Sequence, residues 1–149
     1  YVNLASLAGA VLGGWLADRW MRRTERGRIY TSALGMCLLV PALFGVGNAG
    51  TLTIAIVFLV VFGLGWGAFD CNNMPILCQI ARPEWRATGY GLMNLASMTC
   101  GGLLGDIAFG ALRDRHVPLN LIFGAFASVA IFSVVLVLLI RPKQNLSQP

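Results

Sequence analysis

Charged side chains are scarce in this sequence, and their absence from long stretches excludes most water-soluble folds. Only 11% of the residues are Asp, Glu, Lys or Arg, whereas a soluble domain carries about 25%. No charge lies between Ile29 and Phe69, a run long enough for two bilayer crossings of about 20 residues each. The sequence therefore predicts segments that are surrounded by lipid.

Histidine and cysteine are also too few and too scattered to suggest a metal centre. The chain has one His and four Cys, and no pair of cysteines has the CxxC spacing. It also lacks the HExxH and GxSxG patterns of hydrolytic enzymes. We therefore expect no metal, no cofactor and no enzymatic activity.

The basic residues are grouped beside apolar stretches. Nine of the eleven Lys and Arg lie in the segments 19–28, 82–86 and 141–143. Such clusters are typical of the loops that orient membrane proteins, and they do not form the basic face of a nucleic-acid-binding domain. Five apolar spans are predicted between these clusters, at about residues 1–17, 29–48, 51–80, 87–112 and 118–140.

The order of the spans predicts their orientation. Successive loops lie on opposite sides of the bilayer, so loops 18–28 and 81–86 share a side with the tail 141–149. That side carries the excess of cations and is expected to be cytoplasmic. We predict an all-α, multi-pass transmembrane bundle in a bacterial inner membrane. Since the chain opens at Tyr1 inside an apolar stretch, it is interpreted as a piece of a longer protein.

Three pairs of glycines have the small-xxx-small spacing that permits close helix packing in lipid. They are Gly9 with Gly13, Gly63 with Gly67, and Gly101 with Gly105. We expect each pair to mark a helix contact, without bearing on the ligand.

The segment 14–23, GWLADRWMRR, resembles the loop signature of the major facilitator superfamily, G-x-L-A-D-R-x-G-R-R, with Met21 as the exception. The stretch 74–94 is similar to the junction of the tenth and eleventh helices of that superfamily, especially in the anion:cation symporter family. The resemblance implies helices eight to twelve of the C-terminal half, with the N-terminal half missing. The equivalent stretch of the N-terminal half is the alternative assignment.

The resemblance also implies a function. Such a protein is a secondary transporter that moves a small polar solute by alternating access, coupled to protons or sodium. An organic anion, either a sugar acid or another carboxylate, is the expected solute. The alternative is a transporter-like sensor or scaffold that binds a solute without moving it.

The loop signature is interpreted as a conformational latch. Asp18 can accept hydrogen bonds from the amides at the start of a neighbouring helix, and the arginines can pair with Asp18, with Glu25 or with the carbonyl ends of adjacent helices. Contacts of this kind form in one packing of the two halves and break in the other. The alternative is a purely topological anchor. The predicted latch residues are Gly14, Asp18, Arg19, Arg22 and Arg23.

Asp70 is the candidate for solute binding or ion coupling, because an ionisable side chain inside a span is costly and usually functional. At about 100° per residue, Trp66, Asp70 and Asn73 share one helix face, and Asn72 points elsewhere. Pro75 removes an amide and is expected to bend the helix. Asn94 on the next span is a further candidate, although packing between helices would also explain it. The alternative role of Asp70 is a structural cap or ion pair.

Overall fold

A computed structural model describes residues 1–140, and these residues form helices and no strand. The helices are α1 (Val2–Met21), α2 (Gly27–Gly47), α3 (Leu52–Asp70), α4 (Asn73–Ile80), α5 (Arg86–Ala96), α6 (Leu104–Asp114) and α7 (Leu119–Leu139). A short 3₁₀ helix, Pro83–Trp85, precedes α5, and a π-helical stretch, Ser97–Leu103, joins α5 to α6. The predicted all-α bundle is confirmed.

Four helical segments are long and apolar enough to cross a membrane. They are Gly27–Gly47, Leu52–Ile80, Pro83–Asp114 and Leu119–Leu139. Helix α1, which was predicted as a fifth span, is not among them. Its glycines, together with Asn3 near its start and Asp18 and Arg19 near its end, lower its mean hydropathy.

Helices α1, α2 and α3 approach one another through glycines. A Cβ atom on Gly13 of α1 would lie 2.6 Å from the Cα atom of Ala68 on α3. One on Gly35 of α2 would lie 2.7 Å from the carbonyl oxygen of Gly65, also on α3. Side chains at these positions would separate the backbones, so small residues fix the spacing of the three helices.

Helix α2 is the centre of the described bundle, because it packs against both α3 and α7. Ile29 and Ala42 are almost completely buried along it. Its buried Thr31 donates a hydrogen bond to the carbonyl of Gly27 at 3.0 Å, which satisfies the hydroxyl within the helix. The helix runs through Pro41 without interruption.

The segment Pro83–Asp114 is the least covered part of the bundle. None of its residues is buried by the rest of residues 1–140. Its contact with α7 includes an edge-to-face pair of Phe109 and Phe123, with ring centroids 6.0 Å apart. The predicted contact at Gly101 is absent from the described residues, since a Cβ there would meet no atom within 4 Å.

The two polar loops, residues 18–28 and 81–86, lie at the same end of the molecule. The amide of Gln79, near the end of α4, donates to the sulfur of Met21 at 3.6 Å. The guanidinium of Arg86 donates to the carbonyl of Cys78 at 3.0 Å and to that of Ala81 at 3.4 Å, which caps the last turn of α4. Loops 18–28 and 81–86 are therefore neighbours, as the alternation of spans requires.

Candidate functional site

An arginine joins three elements at the end of the bundle that carries the loop signature. Arg28, in the first turn of α2, donates from Nη2 to Oδ1 of Asp18 on α1 at 2.7 Å. Its Nη1 donates to Oδ1 of Asn72, in the turn between α3 and α4, at 3.4 Å. We call Asp18, Arg28 and Asn72 the polar junction. It connects the motif to the interruption in the long span.

Asn72 is the buried member of the polar junction. Its side chain is fully buried, and its amide donates to the carbonyl of Ala68 at 2.9 Å and lies 3.3 Å from the sulfur of Cys71. The helix is interrupted at Cys71 and Asn72, which leaves backbone groups without regular helical partners. The side-chain amide supplies one of the missing bonds. The sequence interpretation placed Asn72 away from the candidate face and gave it no role.

The three motif arginines have a different environment from the predicted one. In residues 1–140 the only ion pair is that of Asp18 with Arg28, so Arg19, Arg22 and Arg23 pair with neither Asp18 nor Glu25. All three are exposed and line a cavity of about 450 Å³ together with Trp15 and Asp18. The guanidinium carbon of Arg19 lies 5.8 Å from the ring centroid of Trp15, within cation–π range. A Cβ on Gly14 would meet no atom within 4 Å in the part of the chain that the structure describes.

The interruption of the long span brings two of the predicted site residues together. Asn73 donates from Nδ2 to Oδ1 of Asp70 at 3.2 Å, and Asp70 is exposed. Pro75 lies in the first turn of α4, directly after the interruption. Asp70 is the last residue of α3, and among the described residues its carboxylate accepts a single hydrogen bond from a side chain.

An aromatic row leads along α3 to Asp70. The rings of Phe62 and Trp66 are stacked, with centroids 6.3 Å apart and an interplanar angle of 13°. Phe69 follows at 6.1 Å from Trp66 with a tilted ring. Sequence reasoning named Trp66 alone, although the spacing 62, 66, 69 is that of one helix face. Trp66 is 41% exposed, so part of its ring is open for contact.

Asn94, the remaining candidate, lies on α5 with its side chain exposed and makes no hydrogen bond to another side chain in residues 1–140. Its neighbour Met93 lines a largely apolar cavity of about 210 Å³ that also reaches Asn73 and the hydroxyl of Ser32. That buried hydroxyl has no hydrogen-bond partner within the described part of the chain. The structure thus connects Asn73 to α5 through a cavity, and it leaves Asn94 outside its lining.

The π-helical stretch after Asn94 was not predicted. It covers Ser97–Leu103 and includes the adjacent Gly101 and Gly102. Stretches of π-helix are frequent at functional sites, because their wider turns present backbone and side chains irregularly. Neighbouring glycines in the middle of a span were the available signal, since glycine weakens a regular helix.

No group of His, Cys, Asp and Glu in residues 1–140 has the geometry of a metal site. Several long apolar helices, one of them interrupted beside a carboxylate, define an integral multi-pass membrane protein. The family model of the Major Facilitator Superfamily matches residues 1–106. The chain belongs to that superfamily, as the loop signature indicated.

Two curated relatives are transport proteins. The chain is 26% identical to the benzoate transport protein of Acinetobacter baylyi, over 96% of this chain and 29% of that protein. It is 28% identical to the putative niacin/nicotinamide transporter NiaP of Bacillus subtilis, over 97% of this chain and 34% of that protein. The chain thus spans about a third of the length of these relatives. No solved structure matches it significantly.

Proposed function

We propose that the chain is part of a secondary transporter that moves a small organic anion across a bacterial plasma membrane by alternating access. Membership of the superfamily and the names of the two relatives support transport of a small solute. In this proposal the rest of the transporter covers the bare segment Pro83–Asp114. Loops 18–28 and 81–86 and the C-terminal tail face the cytoplasm, because most of the cations lie there.

The aromatic row on α3 supports an aromatic carboxylate in preference to a sugar acid. The solutes named for the two relatives, benzoate and niacin or nicotinamide, all contain one aromatic ring. Benzoate and niacin add a carboxylate to it, and nicotinamide adds a neutral amide. The partly exposed ring of Trp66 offers a stacking surface between Phe62 and Phe69; aromatic pairs contribute about 0.5–1.5 kcal/mol beyond the burial of area. This row, ending at the Asp70–Asn73 pair, is the observation that carries the proposal.

A cation for the solute carboxylate has to come from elsewhere in the transporter. No Lys or Arg lies between Ile29 and Ala81, so α3 and α4 offer none. The one cation on α2, Arg28, is already held in the polar junction. Asp70 itself repels an anion when it is ionised, and the repulsion is strong where water is scarce. A proton or sodium ion on Asp70 would remove that repulsion. We therefore assign Asp70 to ion coupling and Asn73 to its orientation.

The polar junction is proposed as the latch of the alternating-access cycle. Arg28 holds the end of α1 and the turn before α4 at the same time. A movement of α4 relative to α1 must break one of these bonds. The junction therefore favours one arrangement of the helices over another, which is what a two-state device requires.

Counterflow in proteoliposomes tests the proposed transport. Vesicles containing the full-length protein are loaded with unlabelled solute and diluted into labelled benzoate, niacin or gluconate. We expect exchange of the two aromatic acids and little exchange of the sugar acid. A sensor or scaffold would bind solute saturably and give no exchange, which would refute transport. Preferred exchange of gluconate would refute the aromatic assignment alone.

Asp70→Asn tests the coupling role. The neutral amide cannot take up a proton, so we expect accumulation driven by an ion gradient to fall at least tenfold while counterflow persists. Asp106→Asn, which changes a carboxylate within the candidate span Pro83–Asp114, is the matched control and should retain accumulation. Unchanged accumulation and unchanged pH dependence in Asp70→Asn would show that the carboxylate is structural.

A further inference from the structure

The cavity lined by Arg19, Arg22 and Arg23 carries positive charge that the polar junction, the proposed latch, does not need. Arg28 neutralises Asp18, and it does so without the help of Arg19, Arg22 or Arg23. The nearest remaining carboxylate in the sequence, Glu25, forms no ion pair within residues 1–140. Three exposed guanidinium groups thus line one cavity of about 450 Å³, and the one carboxylate in its lining, that of Asp18, is already paired with Arg28.

Aromatic side chains surround the same arginines. Trp15 lines the first cavity and is 63% exposed. A second cavity of about 250 Å³ is lined by Trp20, Arg23, Thr24 and Tyr30. Arg23 therefore contributes to both cavities. Trp and Tyr are concentrated where membrane proteins meet lipid headgroups, so this end of α1 combines a cationic rim with apolar walls.

We propose that these two cavities bind an anionic phospholipid, whose phosphate lies among Arg19, Arg22 and Arg23. Guanidinium groups match phosphate oxygens in charge and fork geometry. Basic pockets at the ends of membrane helices are suited to anionic headgroups. The rings of Trp15, Trp20 and Tyr30 contact the glycerol and the first part of the acyl chains. A free phosphate would leave these rings uncovered, which is why a lipid is the assigned ligand.

The binding of phosphatidylglycerol to the purified full-length protein in detergent tests this site. Native mass spectrometry counts the bound lipids, with phosphatidylcholine as the zwitterionic comparison. We expect preferred binding of phosphatidylglycerol, weakened roughly fivefold by Arg22→Gln and on the order of 100-fold by the triple change Arg19→Gln, Arg22→Gln, Arg23→Gln. The corresponding triple lysine variant should retain most of the binding, because it keeps the charge.

The matched control changes the two arginines at the other end of the bundle. Arg113→Gln with Arg115→Gln removes exposed cations that line neither cavity, and it should leave the binding unchanged. Arg22→Gln alone serves if the triple variant does not fold. Equal binding of both lipids, or equal losses in the control, would overturn the site. Displacement of the lipid by equimolar glycerol 3-phosphate would identify a soluble phosphate as the ligand and would overturn the lipid assignment.

No solute is present in this experiment. A negative result therefore leaves the proposed transport intact, and a failed counterflow leaves the lipid site intact.

Discussion

Two parts of the bundle both contain helices that are apolar enough to cross a membrane, and they differ greatly in packing. Helices α1, α2 and α3 touch at their backbones through glycines, whereas the segment Pro83–Asp114 has no residue buried by the rest of residues 1–140. In lipid, apolar side chains gain little from leaving one apolar environment for another, so small residues and close backbones decide which helices associate. Hydropathy identifies α2, the segment Leu52–Ile80 and the segment Pro83–Asp114 as candidate spans, and it does not show how closely each one is packed.

The candidate site lies on the well-packed part. Trp66, Asp70 and Asn73 belong to α3 and the start of α4, which α1 and α2 hold through glycine contacts and the polar junction. A rigid support of this kind keeps side chains in position. Under the proposed function, the loosely covered part, with its π-helical stretch, packs against the rest of the transporter.

Of the changes proposed here, Gly67→Leu should destabilise the well-packed part most. A Cβ on Gly67 would lie 2.8 Å from the backbone nitrogen of Ala10, so a leucine forces α1 and α3 apart at a cost of at least about 3 kcal/mol. The measurement is the monodisperse fraction in size-exclusion chromatography, with the melting temperature in detergent.

Gly110→Leu on α6 is the matched control, because a Cβ there would meet no atom of residues 1–140 within 4 Å. We expect a change within about 0.5 kcal/mol. If the two leucines destabilise the protein equally, the contrast between the two parts does not hold.

Asn72→Ala should have the next largest effect on stability. It tests whether the buried polar junction stabilises the well-packed part more than an exposed hydrogen bond does. The change leaves Arg28 with one partner fewer and the carbonyl of Ala68 without its side-chain donor, which we expect to cost about 1–3 kcal/mol in the buried junction. Asn48→Ala is closely matched, because the Asn48 side chain also donates to the carbonyl four residues earlier at 2.9 Å. Asn48 is exposed, so its loss should change the melting temperature little. Equal shifts would deny Asn72 a special role.

The first predicted span, residues 1–17, lies in a helix that is not among the four candidate spans. The long apolar helices after it could be predicted from the sequence, because a charge-free run such as Ile29–Phe69 has few alternatives to lipid. The position of Asn72 could not be predicted from the sequence. The helical-wheel argument assumes a continuous rotation of about 100° per residue, and the interruption at Cys71–Asn72 breaks it. The partner of Asp18 was also missed, since Arg28 is ten residues away in the sequence and meets it only when α2 folds back on α1.

The aromatic row and the π-helical stretch show the same limit at the candidate site. Phe62 and Phe69 stand among many apolar residues of α3, and nothing local distinguishes them from lipid-facing side chains. The stacking of Phe62 on Trp66 and the tilted contact of Phe69 with the same ring are visible only with the helix formed. The π-helical geometry at Ser97–Leu103 depends on the whole span, and Gly101 and Gly102 alone do not specify it.

The role of the aromatic row is the central claim, and counterflow of labelled benzoate by Trp66→Leu tests it most directly. Phe132→Leu is the matched control, since Phe132 is 63% exposed on α7, away from the row. Loss of stacking should weaken the apparent affinity of Trp66→Leu for benzoate about threefold to tenfold and leave Phe132→Leu within twofold of the unchanged protein. Equal affinities of Trp66→Leu and the unchanged protein would contradict the account.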